Sequence, residues 1–205
     1  MIAIIDYGVG NLFSLQSSLR MIGEETVVTA DPQALGAADR LILPGVGAFG
    51  DAREKLASAG LDGVICAQAA AGKPLLGICL GMQLLFERSF EFGEHEGLGL
   101  IPGDVVDMTP LIGPGLKVPH IGWNALDVKS PAHPLLRDVR EGDCVYFVHS
   151  FCATRCDESV IATAEYGALL TAAVARGNVL GCQFHPEKSG EVGLRILRAF
   201  CAWGR

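Results

Sequence analysis

No run of lysine or arginine occurs in this 205-residue chain, in which 16 basic side chains face 23 acidic ones for a net charge of −7. That balance disfavours a nucleic-acid or anionic-membrane surface. No apolar stretch approaches the ~20 residues that a membrane helix needs. The opening MIAIIDYGVG has neither a basic leader nor a small-residue cleavage site, so secretion through a signal peptide is not expected. A phosphate-binding P-loop is missing too. Gly8 and Gly10 begin a dinucleotide fingerprint, but Phe13 fills its third glycine position. Seven cysteines, at 66, 79, 144, 152, 156, 182 and 201, form no obvious disulfide framework and predict a reduced, cytoplasmic protein with free thiols. His149, Cys152 and Cys156 are spaced H-x2-C-x3-C without a paired C-x-x-C knuckle, and neither a metal nor a cofactor is expected.

What is present is a core. Half of the residues are apolar and 19% are charged, which excludes a disordered chain. At this length one domain, residues 1–205, can bury about 70% of its unfolded surface. Apolar runs at Ile2–Ile5, Thr26–Thr29, Leu41–Leu43 and Leu75–Ile78 alternate with helical patterns at Leu12–Ile22, Ala52–Ala59 and Leu61–Ala71. Strands that are apolar throughout, separated by helices, predict an α/β fold with a mostly parallel sheet covered on both faces. The C-terminal half adds β-strands, expected at Val105–Met108, Val118–Trp123, Cys144–His149, Val160–Tyr166, Ala172–Ala175 and Val179–Gln183, before a last helix over Gly190–Trp203. The segment Pro110–Gly115 reads as a surface loop.

Three short stretches carry candidate chemistry. GICLG (77–81) places one cysteine on a sharp turn from a buried strand into a helix starting near Leu80. Such a turn exposes a nucleophile, and the helix start directs N–H groups toward the sulfur. The flanking glycines then relieve backbone clashes and clear space for a substrate. A buried filler cysteine fits the pentapeptide as well. QFHPEK (183–188) offers a base: if Pro186 keeps the segment extended, His185 and Glu187 point to one side and Glu187 orients the imidazole. A plain surface turn is the alternative. PGVG (44–47) can bring backbone N–H groups to the carboxyl edge of the sheet, where Cys79 would also lie, and a plain β–α turn is the alternative. Together the three stretches describe a thiol acyl-transfer site.

In these motifs the sequence resembles the triad-type (class I) glutamine amidotransferase family. The resemblance is carried by DYGVGN (6–11), PGVGAFG (44–50), GICLGMQLLF (77–86), PHIGWN (119–124), YFVHSF (146–151) and CQFHPEKSG (182–190), in the family's order and over nearly the whole chain. It implies a flavodoxin-like sheet with added strands and hydrolysis of the side-chain amide of L-glutamine. Cys79 would be the nucleophile, His185 the base and acid, and Glu187 its orienter. Backbone N–H groups of Leu80 and of Val46 or Gly47 would hold the oxyanion. Gly47, Gln83, Ser150 and Phe151 would grip glutamine, Phe151 through its backbone, because the family carries Tyr there as often as not. PGVGAF, GWN and HPEKS narrow the likeness to glutaminase subunits of histidine biosynthesis that pair with a (β/α)8-barrel cyclase. In those, Trp123, Asn124, Lys188 and Ser189 would face the partner. Competing readings are an amidotransferase subunit serving another pathway, a flavodoxin-like binding module with an inert Cys79, and a protease or deglycase on the same fold.

Overall fold

A strand alternates its side chains between two faces, and the first strand shows what this does here. Ile2 and Ile4 pack with Leu15, Leu19, Ile196 and Phe200, whereas Ala3 and Ile5 pack with Leu35, Phe49, Leu56 and Ile65. Each face therefore has its own apolar layer, and each large side chain fully buried there contributes about 1.5–3 kcal/mol. The computed structural model describes residues 1–203. In chain order its strands and helices are β1 (Ile2–Ile5), α1 (Leu12–Met21), β2 (Thr26–Thr29), α2 (Pro32–Ala37), β3 (Arg40–Leu43), α3 (Phe49–Ser58), α4 (Leu61–Ala70), β4 (Leu75–Ile78), α5 (Leu80–Gln83), β5 (Phe86–Ser89), β6 (His95–Glu96) and β7 (Ile101–Asp107). There follow α6 (Thr109–Ile112), β8 (His120–Val128), β9 (Cys144–His149), β10 (Phe151–Thr154), β11 (Val160–Glu165), β12 (Leu169–Arg176), β13 (Val179–Cys182) and α7 (Gly190–Ala202).

Nine strands form one sheet in the order β2-β1-β3-β4-β13-β12-β11-β8-β9. The first five are mutually parallel, and the remaining neighbours pair antiparallel. Helices α1 and α7 cover one face, and α2, α3 and α4 cover the other. A second sheet, β10-β7-β5-β6, lies beside this frame. The expected α/β architecture with added C-terminal strands is the observed one.

Asn11 caps α1 by accepting from the Ser14 N–H. Gly23, at φ +84°, turns the chain out of it as glycine readily does. Several expectations are corrected. The stretch Pro110–Gly115 is not all loop, because Pro110 sits in the first turn of α6, where a missing N–H costs nothing. Ile112 is buried there with Met108, Cys152 and Leu170. Trp203 lies just past the end of α7, although it still packs on the core. Strand β8 runs on to Val128 because its far half pairs with β11.

Candidate active site

The ends of β3, β4 and β13 are adjacent in the sheet, so the three motifs that follow them meet at one edge. Cys79 joins β4 to α5 at φ 54° and ψ −113°, a conformation that costs a residue with a Cβ on the order of 1–3 kcal/mol. It is held by its N–H to the Cys182 carbonyl at 2.7 Å and by its own carbonyl accepting from the Gln83 N–H at 3.1 Å. The glycines around it serve packing rather than substrate access, contrary to expectation. A Cβ on Gly77 would stand 2.6 Å from the Gly81 carbonyl oxygen, and one on Gly81 only 1.9 Å from that of Leu43. They let α5 lie directly against β4 and β3.

The base is built differently from the extended segment that was expected. His185 is extended, but Pro186–Lys188 is a turn of 3-10 helix. That turn swings Glu187 back, so its Oε1 lies 2.8 Å from His185 Nδ1, with both side chains under 5% exposed. Ser189 locks the turn by donating to the His185 carbonyl at 2.7 Å and accepting from the Tyr146 N–H at 3.0 Å. The other ring nitrogen, Nε2, is buried without a hydrogen-bond partner. Burial alone would pull the His185 pKa down. Its interactions with Cys79 and then with Glu187 outweigh it and raise the value to about 9.

Tyr7 donates to the Pro44 carbonyl at 2.8 Å, and Gly45 packs against Gly81 and Leu80 with no room for a side chain. The start of PGVG is thereby clamped. Val46, by contrast, is 42% exposed, and Gly47 sits at φ +94° in open space. A cavity of about 440 Å³ gathers Val46, Gly47, Cys79, Leu80, Gln83, Ser150, Phe151, His185 and Lys188. Nine residues from four separate stretches thus gather around a single thiol. Among the described residues, no group of three or more His, Cys, Asp or Glu side chains stands close enough to hold a metal ion.

The model of the family described as glutamine amidotransferase class-I matches residues 3–202. The chain belongs to the class-I glutamine amidotransferase family. Among relatives of this class-I glutamine amidotransferase is the imidazole glycerol phosphate synthase subunit HisH of Syntrophotalea carbinolica. It is 51% identical, with 98% of each chain covered. The protein of the same name from Wolinella succinogenes is 49% identical, with 100% of each chain covered. Solved structures with the same fold include a glutamine amidotransferase (TM-score 0.76, 20% identity, 98% of this chain and 97% of that one). Another is PurLQS from Thermotoga maritima (TM-score 0.74, 22% identity, 100% and 98% covered).

Four further cavity residues of the amidotransferase escaped the sequence reading: Glu91, Pro119, Val148 and His149. Glu91 is 9% exposed; its Oε2 accepts from the Phe49 N–H at 2.7 Å, while burial raises its pKa. No motif around it marks the residue, since only the fold of β5 and the loop after it brings it to the cavity. Of the four residues expected at a partner surface, Trp123 (55%) and Lys188 are exposed. Asn124 is committed internally, its Oδ1 2.7 Å from His120 Nε2 and its Nδ2 donating to the Glu165 carbonyl. Ser189 is 1% exposed and cannot meet a partner from outside; its hydroxyl belongs to the His185 turn. Among the described residues, no helix is long and apolar enough to cross a membrane.

Proposed function

We propose that this amidotransferase is the cytoplasmic glutaminase subunit of an imidazole glycerol phosphate synthase, working as a heterodimer with a (β/α)8-barrel cyclase. The observation that carries the mechanism is the placement at one cavity of a strained cysteine, an unpartnered imidazole Nε2 and a buried carboxylate behind it. Glutamine enters side chain first. The Cys79 thiolate attacks the carboxamide carbon, and the backbone N–H groups of Leu80 and of Val46 or Gly47 stabilise the oxyanion. His185 gives its Nε2 proton to the departing nitrogen, so ammonia leaves and a glutamyl thioester remains. A water then attacks the thioester, with His185 taking its proton, and glutamate is released from the regenerated thiol. Glu187 stabilises the imidazolium in both halves of the cycle. Gly47, Gln83 and the Ser150–Phe151 backbone hold the substrate, and the carboxylate of Glu91 suits its α-ammonium.

Ammonia set free in water is protonated and lost as a nucleophile, so hydrolysis without an acceptor is waste. The partner's barrel would carry the ammonia to its phosphoribulosyl-formimino substrate, giving imidazole glycerol phosphate and aminoimidazole carboxamide ribotide. The names of the relatives at 51% and 49% identity support this assignment. Trp123 and Lys188, both exposed, suit a docking surface, and the exposed half of PGVG suits a switch, since a peptide rotation at Val46 makes or removes an oxyanion donor. The test is glutamate release by the chain alone, with the cyclase, and with cyclase plus its ligand. The expected result is weak turnover alone and strong turnover in the liganded complex. Equal rates in all three would overturn the proposal.

A further inference from the structure

Behind the cavity wall two histidines face each other across β8 and β9. His120 and His149 are direct cross-strand partners, 1% and 6% exposed, with His120 Nδ1 3.1 Å from His149 Nε2. Each outer nitrogen points at an acceptor. His149 Nδ1 lies 2.8 Å from the Phe151 carbonyl oxygen, which can only accept. His120 Nε2 lies 2.7 Å from Asn124 Oδ1. The orientation of that amide is settled by its other end, where Nδ2 donates to the Glu165 carbonyl at 2.9 Å. Turned over, it would set oxygen against oxygen.

Both outer nitrogens must therefore carry hydrogen. In two neutral rings the inner nitrogens would then oppose lone pair to lone pair, at a hydrogen-bond distance and away from water. One more proton between them completes the row: three protons on four nitrogens, one positive charge over two rings. Burial is the larger effect and lowers both rings, His149 to about 4, with repulsion from His120 adding to it, while the Phe151 carbonyl on His149 and the Asn124 oxygen on His120 pull the other way. Among ionisable groups facing the pair, the imidazolium of His185, on the turn after β13, opposes the charge. The rings around it favour it. His120 is stacked between Tyr166 (centroids 4.0 Å apart) and Phe147 (5.0 Å), whose faces are negative.

The row does not stop at Phe151. The carbonyl that accepts from His149 also accepts from Gln83 Nε2 at 3.1 Å. The same amide nitrogen donates to Gln183 Oε1 at 3.0 Å, and Gln183 Nε2 faces the Cys79 sulfur at 3.8 Å. Gln183 is fully buried, and the glutaminase mechanism above leaves it without a task. We propose that His120 and His149 share one proton and act as positioning residues: by fixing the Phe151 carbonyl they orient Gln83 and Gln183, and with them the amide that donates to the Cys79 thiolate. This deepens the glutaminase reading, since the thiolate it serves is that reading's nucleophile.

Two arms test it, neither of which uses glutamine turnover, so failure here is distinguishable from failure of the glutaminase assignment. In the first, nitrogen NMR of the histidine-labelled wild-type chain at neutral pH counts ring protons. Three N–H protons on the four nitrogens of His120 and His149 are expected; two neutral rings with one each would overturn the proposal. In the second, iodoacetamide alkylation of Cys79 is followed by peptide mass spectrometry over a range of pH, with exposed Cys144 as reference. His149→Leu is expected to slow Cys79 at neutral pH by roughly tenfold relative to Cys144, the scale of one hydrogen bond to a charged group. His149→Asn, which keeps a donor near the Nδ1 position, should restore the rate to within about threefold. A His149→Leu profile identical to wild type would overturn the role in positioning, and the NMR arm stands even if that variant does not fold.

Discussion

Replacing Glu187 by glutamine keeps the shape behind His185 and removes one charge. In the structure His185 Nδ1 meets Glu187 Oε1 at 2.8 Å, and neither side chain is more than 4% exposed. A charge-assisted hydrogen bond in such a place contributes about 1.5–3 kcal/mol to the charged form of the ring. Divided by about 1.36 kcal/mol per pH unit, that lowers the His185 pKa by roughly one to two units from its raised position. With less imidazolium at neutral pH, the proton for the leaving ammonia is scarcer. The expected loss in glutaminase kcat for the complex is about 10- to 100-fold with a smaller change in KM, because the carboxylate never touches glutamine. The alkaline limb of the pH profile should move down together with kcat. An unchanged kcat with an unmoved limb would refute the assignment of Glu187, whatever the fold of the variant.

Gly81→Ala should destabilise the chain by at least 1–3 kcal/mol, the usual cost of overpacking, because its Cβ would lie 1.9 Å from the Leu43 carbonyl oxygen. Calorimetry should show a Tm lower by several degrees, and an unchanged Tm would contradict the packing role of this glycine. Ser189→Ala leaves the half-buried Tyr146 N–H without its acceptor and should cost about 1–3 kcal/mol in denaturant unfolding, with reduced kcat but unaltered partner affinity. A selective loss of partner affinity would instead return Ser189 to the interface. The pKa of His185 rises from 6.5 to about 9 on folding, so the stabilisation that follows from its protonation is complete below pH 6.5 and disappears as pH climbs through about 9. The Tm advantage of wild type over His185→Gln should shrink over that window, and a constant difference would speak against the ion pair.

The parallel half of the fold was legible because buried strands and amphipathic helices have different periods: β1, β2 and β4 end where the apolar runs end. The missed elements are those whose existence depends on distant partners. β10 is four residues paired to β7, and β6 is two residues paired to β5. Helix α2 did carry a local signal, since Asp31 caps it and Pro32 opens it. At the site, Cys79, His185 and Glu187 were readable because strained elbows and base–acid pairs need particular residues at fixed spacing. The geometry joining His185 to Glu187 was not, because a proline after an extended residue can begin a turn as well as prolong a strand. Glu91 and the His120–His149 pair were beyond reach for another reason: only loop closure brings Glu91 to the cavity, and only cross-strand register sets His120 behind His149 at its wall. Asn124 and Ser189 show the same limit from the other side, for a polar residue in a motif can serve a neighbour within the chain rather than a partner outside it.

The most direct measurement is glutamate release from L-glutamine by Cys79→Ala assembled with the proposed cyclase partner and its ligand, beside wild type in the same complex. Loss of turnover to background, with the variant still bound to its partner, is the predicted result. Continued glutamate release at a rate near wild type would contradict a Cys79 thioester.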